Sequence, residues 1–181
     1  MQAIELTPTS YIVLGLLNQA GETTPYRLKQ MVDASVGHFW SLHRSQLHAE
    51  PARLARAGYL SERQEPAGRR RKRYALTDRG KEALAVWVAT PTEQFTELRD
   101  LAFLKLFFGT DPSAQANAQL TVLRPLLETY ETMLAAARSD DRFTGDAQRG
   151  PLRTLQAGID QTRSAIGTWE RIAGESRSAS R

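Results

Sequence analysis

Five adjacent cations, Arg69-Arg70-Arg71-Lys72-Arg73, are the side chains of this sequence best suited to do chemistry, and that chemistry is neutralisation of a polyanion. Guanidinium groups meet phosphate oxygens in paired, charge-assisted hydrogen bonds. On composition alone such a run is more often a solvated surface. Its setting changes the reading. Tyr59-Leu60-Ser61-Glu62-Arg63 alternates as a strand does, Pro66-Ala67-Gly68 supplies a turn, and Tyr74-Ala75-Leu76 closes a return strand before Thr77 caps a new helix. The cations therefore belong to a β-hairpin tip, which can reach a phosphate backbone without disturbing a core.

Other reactive residue types point nowhere comparable. His38, His43 and His48 are five apart, which puts no two on one helical face, and no carboxylate pair or nucleophile motif accompanies them. An enzyme is thus disfavoured, no metal or other cofactor is expected, and His43 and His48 are read as facing DNA or solvent. The chain has no cysteine, which excludes disulfides, cysteine-based zinc sites and thiol redox sensing. Asp140-Asp141 fall in a polar segment and read as solvated acids.

The elements that would position the basic hairpin lie upstream. Thr7 or Thr9 can cap a first helix in which Tyr11, Ile12, Val13, Leu14, Leu16 and Leu17 are apolar nearly all round, as in a helix buried at the centre of a small domain. Thr24 caps a second, with Pro25 at its first position, an inner stripe of Leu28, Met31 and Val32, and Arg27, Lys29 and Gln30 opposite. Residues 37–41 read as a loop with aromatic anchors, Phe39 and Trp40. A third helix over 44–57 is stopped by Gly58. Its Leu47 and Leu54 face inward, whereas Ser45, Gln46, His48, Ala49, Ala52, Arg53 and Arg56 cover the remaining surface. Small and polar side chains near a helix N-terminus suit entry into a major groove, where Gln pairs with adenine and Arg with guanine. Pro51 removes a backbone hydrogen bond, so this helix is predicted to kink near Leu47 or to start irregularly. After the hairpin a helix over 78–89 is expected to bury Leu84, Trp87 and Val88, and Trp40, Trp87 and Trp169 are all read as packing residues.

With 181 residues the chain can hold two small domains. Its longest apolar stretch, residues 11–17 interrupted by Gly15, is far short of a membrane span, and no signal peptide opens it, so the cytoplasm is the default. The net charge of +4 is unevenly spread: residues 1–90 carry 13 basic against 8 acidic side chains, and residues 91–181 carry 11 against 12. A basic module facing a polyanion precedes a near-neutral one, with the boundary at 90–92.

The second module is helical in pattern. Residues 95–108 read as one apolar helix ended by Gly109, and Asp111-Pro112 starts the next. There Ala116, Leu120, Leu123, Leu127, Tyr130, Leu134 and Ala137 recur at spacings of 4 and 3, a heptad seam. A second seam after Gly150-Pro151 comprises Leu152, Leu155, Ile159, Thr162, Ile166, Trp169 and Ala173. Two long antiparallel helices joined by a loop over 139–150 follow. The seams could pack on each other alone, but a flanking stripe of Val122, Leu126 and Met133 favours a homodimer held by Leu120, Leu123, Leu127, Tyr130, Leu134, Leu155, Ile159, Ile166 and Trp169. Pro125 should bend the first long helix, and residues 174–181 read as disordered.

Taken together, Leu6-Thr7 through Leu17, Pro25-Tyr26-Arg27-Leu28-Lys29, Phe39-Trp40, Ser45-Gln46-Leu47, Arg53-Leu54, Ala57-Gly58-Tyr59-Leu60, Arg73-Tyr74-Ala75-Leu76-Thr77 and Gly80 through Leu84 resemble the PadR family of bacterial transcriptional regulators. The resemblance covers most of residues 6–88 and extends more faintly through Arg99-Asp100 to Lys105-Leu106-Phe107-Phe108. It implies a winged helix-turn-helix followed by helices exchanged between subunits of a dimer, and repression released by a small molecule such as a phenolic acid. The chain departs from the family pattern at Pro25, His48 and Pro51, and the last two touch the reading surface.

The sequence thus predicts a mainly α protein: a winged helix-turn-helix over 1–90 and an all-α dimerisation and effector domain over 91–181. It would bind a palindromic operator in double-stranded DNA through Arg27, Lys29, Arg44, Ser45, Gln46, His48, Ala49, Arg53, Arg69, Arg70, Arg71, Lys72 and Arg73, and take a small, aromatic effector. The rival is a winged-helix adaptor that binds protein instead, against which the basic hairpin argues.

Overall fold

The computed structural model describes residues 4–65, 71–94, 96–97, 99–140 and 146–179. The chain forms two compact units, Met1–Gln94 and Phe95–Arg181. In the first, Thr7 caps α1 (Pro8–Ala20) through a reciprocal box: its hydroxyl accepts from the Ser10 amide at 3.4 Å, and the Ser10 hydroxyl accepts from the Thr7 amide at 2.9 Å. Val13, Leu14, Leu16 and Leu17 bury the helix on nearly all sides. Thr24 caps α2 (Pro25–Asp33), whose Leu28 and Val32 enter the same core. A 3-10 turn, Val36–His38, leads to α3 (Arg44–Arg56), and Gly58, at φ 81°, turns the chain into β1.

β1 (Leu60–Gln64) pairs antiparallel with β2 (Lys72–Leu76) in the register Leu60↔Leu76 to Gln64↔Lys72. Two backbone bonds, Thr23 amide to Tyr74 carbonyl at 2.9 Å and Tyr74 amide to Thr23 carbonyl at 2.8 Å, add the residue before α2 to this hairpin. The turn Pro66-Ala67-Gly68 and the first two cations, Arg69 and Arg70, lie outside the described residues.

Thr77 caps α4 (Asp78–Ala89) by accepting from the Gly80 amide at 3.2 Å, while its hydroxyl lies within 2.8 and 2.9 Å of the Gly58 and Tyr59 carbonyls. Gly80 is pressed against the hairpin base, where an added Cβ would lie 2.2 Å from the Tyr59 carbonyl oxygen. This contact sets the rotation of α4. Gly80 and Leu84, one turn apart, face the core, whereas Trp87 is 48% and Val88 68% exposed, contrary to the expectation that both are buried. Trp87 instead stacks on Tyr11, centroids 4.6 Å apart. Phe39 and Trp40 are exposed as well, so they anchor no loop. Because the obstacle at Gly80 is backbone, Gly80→Ala should cost about 1–3 kcal/mol of stability, the usual toll of overpacking. Urea unfolding followed by circular dichroism measures it, and an unchanged midpoint would show that α4 can slide away.

Pro51 does not interrupt α3. It is fully buried, and the irregularity lies at the start of the helix, where the His43 carbonyl accepts from both Gln46 and Leu47 amides at 3.0 and 3.3 Å.

In the second unit Asp100 caps α5 (Leu101–Phe107) by accepting from the Ala102 and Phe103 amides at 2.7 and 3.3 Å. The helix expected over 95–108 is therefore cut to seven residues: Thr96, Glu97 and Arg99 are not helical, and Phe95 and Leu98 lie outside the described residues. Asp111 caps α6 (Pro112–Arg138), which runs unbroken through Pro125. The last helix, α7 (Asp146–Ala179), starts before Gly150-Pro151 rather than after it and continues through most of the tail expected to be disordered.

α6 and α7 form an antiparallel hairpin. Ala116 and Leu120 meet Trp169 and Ala173 at one end, with Phe103 of α5 stacked on Trp169 at 4.7 Å, and Tyr130 and Leu134 meet Ile159 at the other. The two seams thus pack on each other within one chain. Leu120, Tyr130, Leu134, Ile159 and Trp169 are buried within one chain, and Leu123, Leu127, Leu155 and Ile166 pack half-buried against them. Each seam finds its partner inside the protomer because a short connection makes the intramolecular pairing the nearest one. Among the described residues no helix is long and apolar enough to cross a membrane.

Candidate nucleic-acid interface

α2 and α3 with the turn between them make a helix-turn-helix whose second helix is divided by burial. Leu47 and Leu54 fix its inner face, and Ser45, Gln46, His48 and Ala49 are exposed together on the other side of its N-terminal half. His43, at the N-cap of α3, makes no side-chain cap hydrogen bond, and the Gln46 amide of the first turn donates instead to the His43 carbonyl. The side chain of Arg44 lies outside the described residues.

Arg53 is not on this reading face. Its Nε donates to Glu50 Oε2 at 2.9 Å, its Nη2 to Glu50 Oε1 at 2.7 Å and to the Ser10 hydroxyl at 2.9 Å, and its Nη1 to the Glu5 carbonyl at 3.2 Å. Ser10 in turn donates to Glu50 Oε1 at 2.6 Å. Glu50 is only 8% exposed and Ser10 wholly buried. Burial pushes the Glu50 carboxyl up, but the hydrogen bonds from Arg53 and Ser10 and the guanidinium charge outweigh it, leaving Glu50 below the usual carboxylate range. Arg53 thus braces the recognition helix against α1 instead of offering a free fork to DNA.

Arg27 and Lys29 stand on α2 in local pairs, Arg27 with Gln30 at 3.2 Å and Lys29 with Asp33 at 2.6 Å. Pairs of this kind are worth a few tenths of a kcal/mol and yield readily to a phosphate.

The wing is charge-balanced at its stem. Lys72 meets Glu62 at 2.7 Å, and Glu62 also accepts from the Tyr74 hydroxyl at 2.9 Å. Lys72, and secondarily Tyr74, holds the Glu62 carboxyl down, while burial and that carboxylate push the Tyr74 phenol up to about 12. Arg73 lies 3.4 Å from both Glu22 and Glu65. Arg63, on the facing strand, makes a two-pronged pair with Glu22, both bonds at 3.0 Å. Arg71 is exposed at the distal end of the stem. Of the five cations, Lys72 and Arg73 are therefore tied down by acids of their own chain.

Sequence reading missed Arg63, Glu22, Glu62 and Glu65, whose roles depend on the hairpin register, and Tyr26, exposed on α2 beside Arg27. Among the described residues no three His, Asp or Glu side chains gather as a metal site would require.

Comparison with known proteins matches this architecture. Residues 13–86 fit the model of the transcriptional regulator PadR-like family. The negative transcriptional regulator PadR of Bacillus subtilis (strain 168) is 30% identical over 138 residues, which span 70% of this chain and 75% of that protein. In fold, the chain superposes on Bacillus subtilis PadR in complex with operator DNA with a TM-score of 0.83 at 22% identity, covering 95% and 99% of the two chains. The same protein in complex with p-coumaric acid gives 0.78, also at 22% identity, over 96% and 99%. With its reading helix, basic wing and helical second unit, this chain belongs to the PadR-like family of transcriptional regulators.

Proposed function

We propose that the protein is a repressor, not an enzyme, that binds a palindromic operator in cytoplasmic double-stranded DNA as a homodimer and is released by a small aromatic molecule. The observation that carries the proposal is the exposed set Ser45, Gln46, His48 and Ala49 on the N-terminal half of a braced helix, beside a wing of surplus positive charge. Operator DNA and p-coumaric acid are the partners seen with the Bacillus subtilis protein, and a related effector class suits this chain. A homodimer is supported by what the α6–α7 hairpin leaves uncovered in one chain: Leu101, Leu104, Phe107, Phe108 and Val122 are exposed, Phe107 to 83% and Phe108 to 77%. So much exposed aromatic surface marks an association face.

Wing and helix divide the labour. Wing cations meet phosphates and supply affinity without base information, whereas Gln46 reads a base edge. Replacing Arg70 and Arg71 with Ala should flatten the slope of log affinity against log salt by about one to two per wing and weaken all duplexes alike. Gln46→Ala should leave the slope intact and cost about 1–3 kcal/mol of discrimination at one base pair of each half-site. Retardation of random and operator duplexes across a salt series separates the two, and a wing variant with unaltered salt dependence would defeat the assignment.

A further inference from the structure

Arg63 and Arg73 are directly opposite in the β1–β2 ladder, so their side chains share one face of the hairpin. Like charges in that position repel, and the sheet is destabilised unless something lies between them. Glu22, from the turn after α1, fills the gap: it accepts two bonds from Arg63 at 3.0 Å and approaches Arg73 Nε at 3.4 Å. In this arrangement both Glu22 oxygens are aligned on the Arg63 fork. Arg73 Nε is buried and has no hydrogen-bond partner, since the oxygens of Glu22 are turned to Arg63.

From this geometry we infer that Arg63 is a phosphate-binding residue of the wing, held in the free protein by Glu22 as a stand-in for the DNA phosphate and handed over when a duplex arrives. The inference rests on the DNA-binding reading above. The exchange is cheap on both sides. The Arg63 side chain is 66% exposed, and an ion pair so placed contributes little. A phosphate offers the guanidinium the same two-pronged acceptor geometry. Once Arg63 leaves, the Glu22 carboxylate is free to close on Arg73 Nε, so the buried donor gains its missing acceptor and the carboxylate is not stranded. Relief of the Arg63–Arg73 repulsion pulls the same way. Glu22 therefore lowers the wing's pull on non-specific DNA without removing the cation from the bound state.

Anisotropy titrations of a random duplex over a salt series, with wild type, Arg63→Ala, Glu22→Gln and the Glu22→Gln/Arg63→Ala double variant, test this. Arg63→Ala should flatten the log–log slope by about 0.9 per engaged wing, and the same flattening should separate the double variant from Glu22→Gln. Arg63→Lys, which keeps the charge, should restore most of the slope, and Glu22→Gln alone should bind several-fold tighter at low salt. If Arg63 merely masks Glu22, the double variant returns to the slope of Glu22→Gln, and the inference is overturned. A wild-type slope for Arg63→Ala overturns it as well. Absence of salt-dependent binding by the wild type would instead remove the DNA-binding reading itself, so the two failures are told apart.

Discussion

Arg53→Ala should destabilise the winged-helix unit by about 3–5 kcal/mol, more than any substitution on the reading face, because it strands the buried Glu50 carboxylate. The pH dependence carries the signature. In the wild type the Glu50 pKa is depressed, so the stabilisation is fully present above the unfolded carboxyl value and is lost as pH falls through the lower, folded one. Without the guanidinium only burial and the Ser10 hydroxyl remain, and burial raises the folded pKa above the unfolded one. The penalty is then largest at neutral pH and shrinks as acid protonates Glu50. Urea unfolding at pH 7 and pH 4.5 should show the gap between variant and wild type narrowing. A loss below about 1 kcal/mol that does not vary with pH would mean that Arg53 is an ordinary surface cation.

In the second unit the largest effect is expected from Trp169→Ala. Trp169 is 1% exposed, stacked on Phe103 and enclosed by Ala116, Leu120 and Ile166, so truncation should cost about 3–5 kcal/mol. It joins α5 to the α6–α7 hairpin, and loosening it should also release the surface of Phe107 and Phe108 that we propose meets a second copy. Sedimentation of the full-length variant should show dissociation at concentrations where the wild type is dimeric, together with an earlier unfolding midpoint. A variant of wild-type stability would show that this end of the hairpin does not depend on the indole.

Features encoded within a few residues were legible in the sequence. Thr7, Thr24 and Thr77 cap because a hydroxyl three residues before an amide suffices, and Gly58 stops α3 because its φ of 81° suits no other residue well. The inward side of α3, Leu47 and Leu54, and the exposure of Ser45, Gln46, His48 and Ala49 followed from periodicity, whereas the tethering of Arg53 did not. What was not legible depends on partners far along the chain. The Glu50–Arg53 pair is an ordinary i, i+3 spacing until Ser10, 40 residues from Glu50, buries it. The rotation of α4 is decided by the Tyr59 carbonyl against Gly80, which no hydrophobic pattern encodes, so Trp87 and Val88 were assigned to the wrong side. Heptad spacing specifies a stripe and not the molecule that covers it, and within one chain the two stripes cover each other. Helix α5 has its stop signal in Gly109, but its start at Asp100 lies inside a longer apolar stretch that periodicity reads as continuous helix.

The pair of backbone bonds between Thr23 and Tyr74 has a consequence for what the domain can recognise. Those bonds weld the turn leading into α2 to the return strand of the wing, so the distance from α3 to the wing stem that carries Lys72 and Arg73 is set when the protein folds. Such a domain works as a fixed-jaw caliper. A duplex whose groove width and phosphate spacing fit both jaws is gripped at once, and one of the wrong width must be deformed first, at an energy that depends on its base steps. Sequence is then expected to be selected at positions that no side chain touches, through the stiffness of the DNA itself.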